Sequence, residues 1–80
     1  MKSAGMVKAG RELAGWSQAE LAQRAGLSLP TIQRMENATY GPLRSSGANL
    51  EKLRLAFASA GVTFTSESGR DCVCIEPVQP

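Results

Sequence analysis

The stretch Ser17-Gln-Ala-Glu-Leu-Ala-Gln-Arg-Ala-Gly-Leu-Ser-Leu-Pro-Thr-Ile-Gln-Arg-Met-Glu-Asn37 decides the fold. Ser17 is a good helix N-cap, and Glu20, three residues on, completes a capping-box pattern. Leu21, Ala22 and Ala25 follow on one narrow helical face, and Gly26 supplies the left-handed residue that ends the helix. Ser28 is a second N-cap; Pro30 is tolerated because the first turn of a helix has N–H groups without partners anyway. Ile32 and Met35 are the apolar i, i+3 pair of this second short helix. The spacing predicts two helices joined by a tight turn of three or four residues centred on glycine. That is the unit whose second helix can enter the major groove of DNA.

Working outward, residues 1–15 read as a first helix, with Ser3 as cap, Met6, Leu13 and Ala14 as its buried stripe and Gly15 as its stop. Gly5 and Gly10 each lower its intrinsic stability by up to ~1 kcal/mol relative to Ala, and Gly10 is a point where another element can approach closely. Trp16, the only tryptophan, is expected to plug the edge of the core. After Asn37 a loop containing Gly41-Pro42 runs to Ser46, the preferred cap of a fourth helix. Leu50, Leu53 and Phe57 give that helix an apolar face, and Gly61 ends it. From Val62 the period changes to two: Val62 and Phe64, then Val73 and Ile75, alternate with polar residues or cysteines across Ser66–Arg70. This predicts a β-hairpin ending at Pro77. A lone hairpin is marginal in water, so it must pack on the helices or pair an edge with a second copy. The domain division is therefore 1–61 for the helical unit and 62–80 for a hairpin extension, a candidate dimerisation element.

Eighty residues with 42% hydrophobic and 20% charged content make one small ordered domain. No signal peptide and no transmembrane segment can be read, and the expected location is the cytoplasm. The net charge of +2 is small, but its distribution is uneven. Residues 1–46 carry six cations against three carboxylates, and residues 47–80 carry three cations against four. The positive half is the half with the two-helix unit, as a phosphate-facing surface requires. There is no histidine, so Ser-His-Asp and Cys-His nucleophile arrangements are excluded and zinc loses its commonest nitrogen ligand. Cys72 and Cys74 form a Cys-x-Cys that a strand would project from one face. Two small residues in a reducing compartment is the plain reading, and a thiol switch or intermolecular disulfide is the alternative. No enzyme activity, cofactor or metal site is expected.

The residues Trp16-Ser17-Gln18-x-x-Leu21-Ala22-x-x-x-Gly26-Leu27-Ser28-x-x-Thr31-Ile32-x-x-x-Glu36 resemble the Xre family, the Cro and phage lambda-repressor-like helix-turn-helix regulators. The likeness extends forward to Arg11 and back to Gly61-Val62-x-Phe64. It implies a mainly α fold, a small four-helix lambda-repressor-like domain here followed by the β-hairpin. It further implies that Gln18 bonds a DNA phosphate, and that Arg11 and Glu36 form a partly buried ion pair orienting the third helix. With Ile32 and Met35 inward, the DNA-contacting set becomes Ser28, Leu29, Pro30, Thr31, Gln33, Arg34 and Asn37. Arg44 joins it from a backbone-gripping loop. Arg34 suits guanine, Gln33 suits adenine, and Leu29 and Pro30 suit thymine methyl groups. Two departures stand out: Leu29 and Pro30 are apolar where polar readers are common, and Ala38 replaces a usual glycine. The apolar pair shifts weight towards DNA shape. The expected function is a sequence-specific DNA-binding transcriptional regulator, a repressor acting as a homodimer on a palindromic operator in double-stranded DNA, with no membrane partner. The alternative is an antitoxin-type module that neutralises a protein partner and autoregulates its operon.

Overall fold

The computed structural model describes residues 1–76; the expected end of the hairpin at Pro77 lies outside them. Four α-helices are followed by one antiparallel hairpin: α1 (Ala4–Ala14), α2 (Gln18–Ala25), α3 (Leu29–Met35), α4 (Gly47–Ser59), β1 (Val62–Glu67) and β2 (Arg70–Ile75). Each helix begins on a serine. The hydroxyls of Ser3, Ser17, Ser28 and Ser46 accept from the backbone N–H three residues on, at 3.2, 3.0, 3.3 and 3.1 Å. These caps satisfy donors that the helices themselves leave unpaired. Glu20 does not return the capping-box bond; its carboxylate lies 3.9 Å from Arg24.

α1 and α2 end alike. Gly15 (φ 76°) and Gly26 (φ 68°) adopt the left-handed conformation, and the N–H groups of Trp16 and Leu27 reach back to the carbonyls of Arg11 and Ala22 at 3.1 and 2.9 Å. These are Schellman closures. The second leaves only Gly26, Leu27 and Ser28 between α2 and α3, which fixes their crossing. The loop after α3 holds one turn of 3-10 helix, Pro42–Arg44, with Pro42 buried.

The core gathers Val7, Trp16, Leu21, Ala22, Ala25, Ile32, Met35, Leu53, Ala56, Phe57 and Val62. Trp16 is buried as expected and stacks on Phe57, with ring centroids 6.1 Å apart. In α1 the buried stripe is Ala4, Val7 and Gly10, not Met6 and Leu13; Leu13 is 42% exposed. The cause is proximity. A Cβ built on Gly10 would stand 2.8 Å from Phe64 Cζ and 3.3 Å from Phe57 Cε1, so at this point of α1 only glycine fits without the rings moving. α4 buries Leu53, Ala56 and Phe57, while Leu50 is half-buried.

The hairpin pairs Val62 with Ile75 and Phe64 with Val73, which puts the alternating apolar residues on one face. Its strands run on through Ser66 and Glu67 to Arg70, leaving a shorter turn than Ser66–Arg70. Ser68 (φ 52°) and Gly69 (φ 76°) make its two-residue turn, with the positive φ at both positions that a type I′ turn requires. Phe64 packs edge-on against Phe57, centroids 5.3 Å apart. Val62, Phe64 and Val73 thus seat the sheet on α1 and α4.

Replacing Gly10 with Val is expected to destabilise the fold by about 1–3 kcal/mol through overpacking. Thermal unfolding should show a drop of roughly 4–8 °C for each kcal/mol. The change Phe64→Leu in the same chain should recover part of that loss. An unaltered melting temperature in Gly10→Val would contradict the close approach.

Candidate nucleic-acid interface

α3 has seven residues, too few to hold a helix or an orientation by itself. Two fully buried side chains, Ile32 and Met35, anchor its inner face. Its end is fixed by charge. Arg11 on α1 donates through Nε to Glu36 Oε2 at 2.8 Å and through Nη2 to Oε1 at 3.0 Å. The third guanidinium nitrogen, Nη1, donates to the Trp16 carbonyl at 3.0 Å. The side chains are only 14% and 4% exposed. The hydrogen bonds to Glu36 hold the Arg11 guanidinium above its already high ordinary pKa, against burial, which pulls it down. A bidentate pair of this kind sets direction as well as distance, because the planar fork matches the carboxylate.

Gln18, on the first turn of α2, completes the cluster by donating Nε2 to Glu36 Oε1 at 3.3 Å. The side chain expected at a phosphate is therefore tied to the group that orients α3. One amide N–H and the amide oxygen remain, close to the N-terminus of α2, where the helix leaves N–H groups unpaired.

On the opposite face of α3, Leu29, Pro30, Gln33 and Arg34 are exposed, with Ser28 just before the helix and Asn37 just after it. Thr31 is half-buried at the boundary. Ser28 and Thr31 share a hydroxyl hydrogen bond at 2.8 Å, and Arg34 Nη2 lies 3.4 Å from Thr31 Oγ1. The Arg34 guanidinium thus lies against α3 with most of its donors open. Asn37 folds back on its own loop, its Oδ1 accepting from Thr39 N–H at 2.8 Å. The structure brings Ser28 to Asn37 onto one continuous surface. Arg44 is the last residue of the 3-10 turn, which packs against α3.

Two features escaped the sequence reading. Tyr40 is 50% exposed, and the Arg44 guanidinium lies over its ring, 5.8 Å from the centroid. The pair borders a cleft of about 420 Å³ also lined by Lys2, Ser3 and Leu43. Arg24 covers Trp16 in the same manner at 4.7 Å, so the solvent side of the tryptophan carries a cation. The signal was available for Tyr40 and Arg44, an aromatic four residues before an arginine, but their meeting depends on the turn at Pro42–Arg44.

Chemically the site offers hydrogen-bond donors, cations and two apolar side chains on a convex helix face. That surface fits a groove rather than a small molecule, and among the described residues no cluster suited to a metal ion occurs. Two helices across a three-residue turn, the second clamped from behind and bare in front, define a helix-turn-helix protein. A family model described as helix-turn-helix matches residues 7–57. The chain belongs to that family, the Xre and lambda-repressor-like helix-turn-helix proteins, and is a DNA-binding regulator of that kind. No curated protein matches it. No helix among the described residues is long and apolar enough to cross a membrane.

Removing one partner of a buried pair leaves the other charge uncompensated, at a cost of about 3–5 kcal/mol. Arg11→Met should lower the melting temperature by more than about 12 °C. Arg54→Ala, which breaks the exposed pair with Glu51 on α4, should leave it nearly unchanged. Equal effects of the two substitutions would mean that Arg11 does not act as the clamp.

Proposed function

We propose that this chain is a transcriptional repressor that binds a palindromic operator in the cytoplasm as a homodimer and blocks access to the DNA it covers. The observation that carries the reading is the exposed face of α3, held by Ile32, Met35 and the Arg11–Glu36 pair with Gln33 and Arg34 on its solvent side. In the groove Arg34 reads guanine with two parallel donors, Gln33 reads adenine, and Leu29 and Pro30 meet thymine methyl groups. Ser28 and Thr31 flank this set. Gln18, Asn37 and Arg44 contact phosphates and set the register. A single α3 makes few base contacts, and two copies on a two-fold-symmetric site supply what one lacks.

Selection of bound sequences from random duplex DNA at fixed salt tests the reading directly. A palindromic consensus is expected; recovery of no consensus, or of an unsymmetrical one, would defeat it. On the selected site Arg34→Ala should weaken binding by about 1–3 kcal/mol and relax the preference at one position of each half-site. Gln18→Ala and Arg44→Ala should weaken binding to all sequences alike, and Arg44→Ala should reduce the salt slope by about one per monomer. Retention of full affinity and preference in Arg34→Ala would remove that residue from the readout.

A further inference from the structure

The hairpin carries a pattern that the DNA-facing surface does not use. Glu76 N–H donates to the Gly61 carbonyl at 2.8 Å, which makes Gly61 and Glu76 a hydrogen-bonded pair. Antiparallel ladders alternate, so Thr63–Cys74, Thr65–Cys72 and Glu67–Arg70 are the hydrogen-bonded pairs of the register. The N–H and C=O groups of Asp71, Val73 and Ile75 consequently point away from β1, along an edge that no strand among the described residues joins. Side chains divide the same way. Asp71, Val73 and Ile75 share the face that packs on the helices, while Arg70, Cys72 and Cys74 project outward, exposed, with Glu76 next in phase.

We propose that a second copy of this chain adds to the free edge of β2, antiparallel, about a two-fold axis through Val73. The inference rests on the homodimer reading above and gives it an interface. Edge hydrogen bonds form only when the outward-directed backbones of 71, 73 and 75 oppose one another. Among those registers, the one centred on Val73 sets Arg70 across from the copy's Glu76, twice by symmetry. Centring on Cys72 sets Arg70 against Cys74, and centring on Cys74 sets Glu76 against Cys72; neither pairs the charges. Directly opposed unlike charges stabilise a strand pair and like charges oppose it, so the outer row Arg70-Cys72-Cys74-Glu76 is complementary to its own reverse. On the inner face Val73 meets itself. Ile75, 46% exposed in the single chain, lies across from Asp71, whose carboxylate the Ser66 hydroxyl and Lys2 already hold. Joining the hairpins makes one four-stranded sheet and removes an open edge from each copy.

This register places Cys72 across from the copy's Cys74 in a non-hydrogen-bonded pair, Cα atoms about 4.5 Å apart, within the span of a disulfide. Like cysteines, Cys72 with Cys72 or Cys74 with Cys74, lie two residues out of step at about 8 Å and are beyond it. Oxidised glutathione converts the geometry into a covalent readout. Two thiols give two electrons and two protons to one glutathione disulfide, which leaves as two thiols, and one interchain S–S bond remains.

Light scattering of the reduced full chain should first show a dimer. After treatment with oxidised glutathione, the unaltered chain should run as a dimer on a non-reducing gel. Cys72→Ser and Cys74→Ser, each alone, should run as monomers. Mixing the two variants should restore the cross-link in about half of the dimers, those holding one copy of each. Glu76→Arg should weaken dimerisation by about tenfold. Cross-linking by either single variant, its absence from the mixture, or an unaffected Glu76→Arg dimer overturns this interface and leaves the homodimer standing. A reduced chain that is monomeric at all concentrations overturns both.

Discussion

One ion pair decides where α3 points. Arg11 and Glu36 are 25 residues apart in the chain and meet at 2.8 Å in a site almost closed to solvent. Burying two charges is costly, and their attraction offsets the cost only when the remaining hydrogen-bonding groups find partners. Here they do: one guanidinium nitrogen serves the Trp16 carbonyl and the Gln18 amide serves the carboxylate. The cluster joins α1, the α1–α2 junction, the start of α2 and the end of α3. A lysine at position 11 would keep the charge and lose the fork, and with it the direction.

That arrangement separates orientation from recognition. The inner half of the two-helix unit is closed by apolar packing and one ion pair. The outer half keeps side chains of modest number and mixed chemistry. Arg34 and Gln33 have the donors for base edges, whereas Leu29 and Pro30 can only fill space against a methyl group or a sugar. In the proposed readout, a helix face so composed would derive less of its selectivity from hydrogen bonds and more from how well the duplex fits it. Arg44 is exposed with its guanidinium over the Tyr40 ring, and in the proposed phosphate contact that stack would leave it fewer conformations to lose.

Most of the fold was legible because its signals are local. Four serine caps, two left-handed glycines and the period-two run after Val62 each act within a few residues, and each lies where the pattern puts it. The stripe of α1 was not legible, because pattern reading assigns large side chains to the interior. There Phe57 and Phe64 fill the interior, and α1 admits them at Gly10, which has no side chain. The site divides similarly. The outward set on α3 follows from Ile32 and Met35 facing inward, a local inference. The bond from Gln18 to Glu36 and the Tyr40–Arg44 stack depend on how separate elements meet, which spacing alone does not encode.

Neighbouring residues of α1 connect the two ends of the molecule. Gly10 lies under Phe64 of the hairpin, and Arg11 grips the end of α3. Gly10 and Arg11 are adjacent in α1, so the seat of the hairpin and the clamp on α3 share one turn of that helix. The aromatic layer of Trp16, Phe57 and Phe64 fills the space between them, and densely packed interiors transmit strain rather than absorb it. In a dimer joined along β2, the distance between the two copies of α3 would be set by this chain of contacts, from sheet edge through Phe64 and Gly10 to Arg11 and Glu36. Half-site spacing would then be a property of the core, and a substitution at Gly10, far from any base, would change which operators two copies can span.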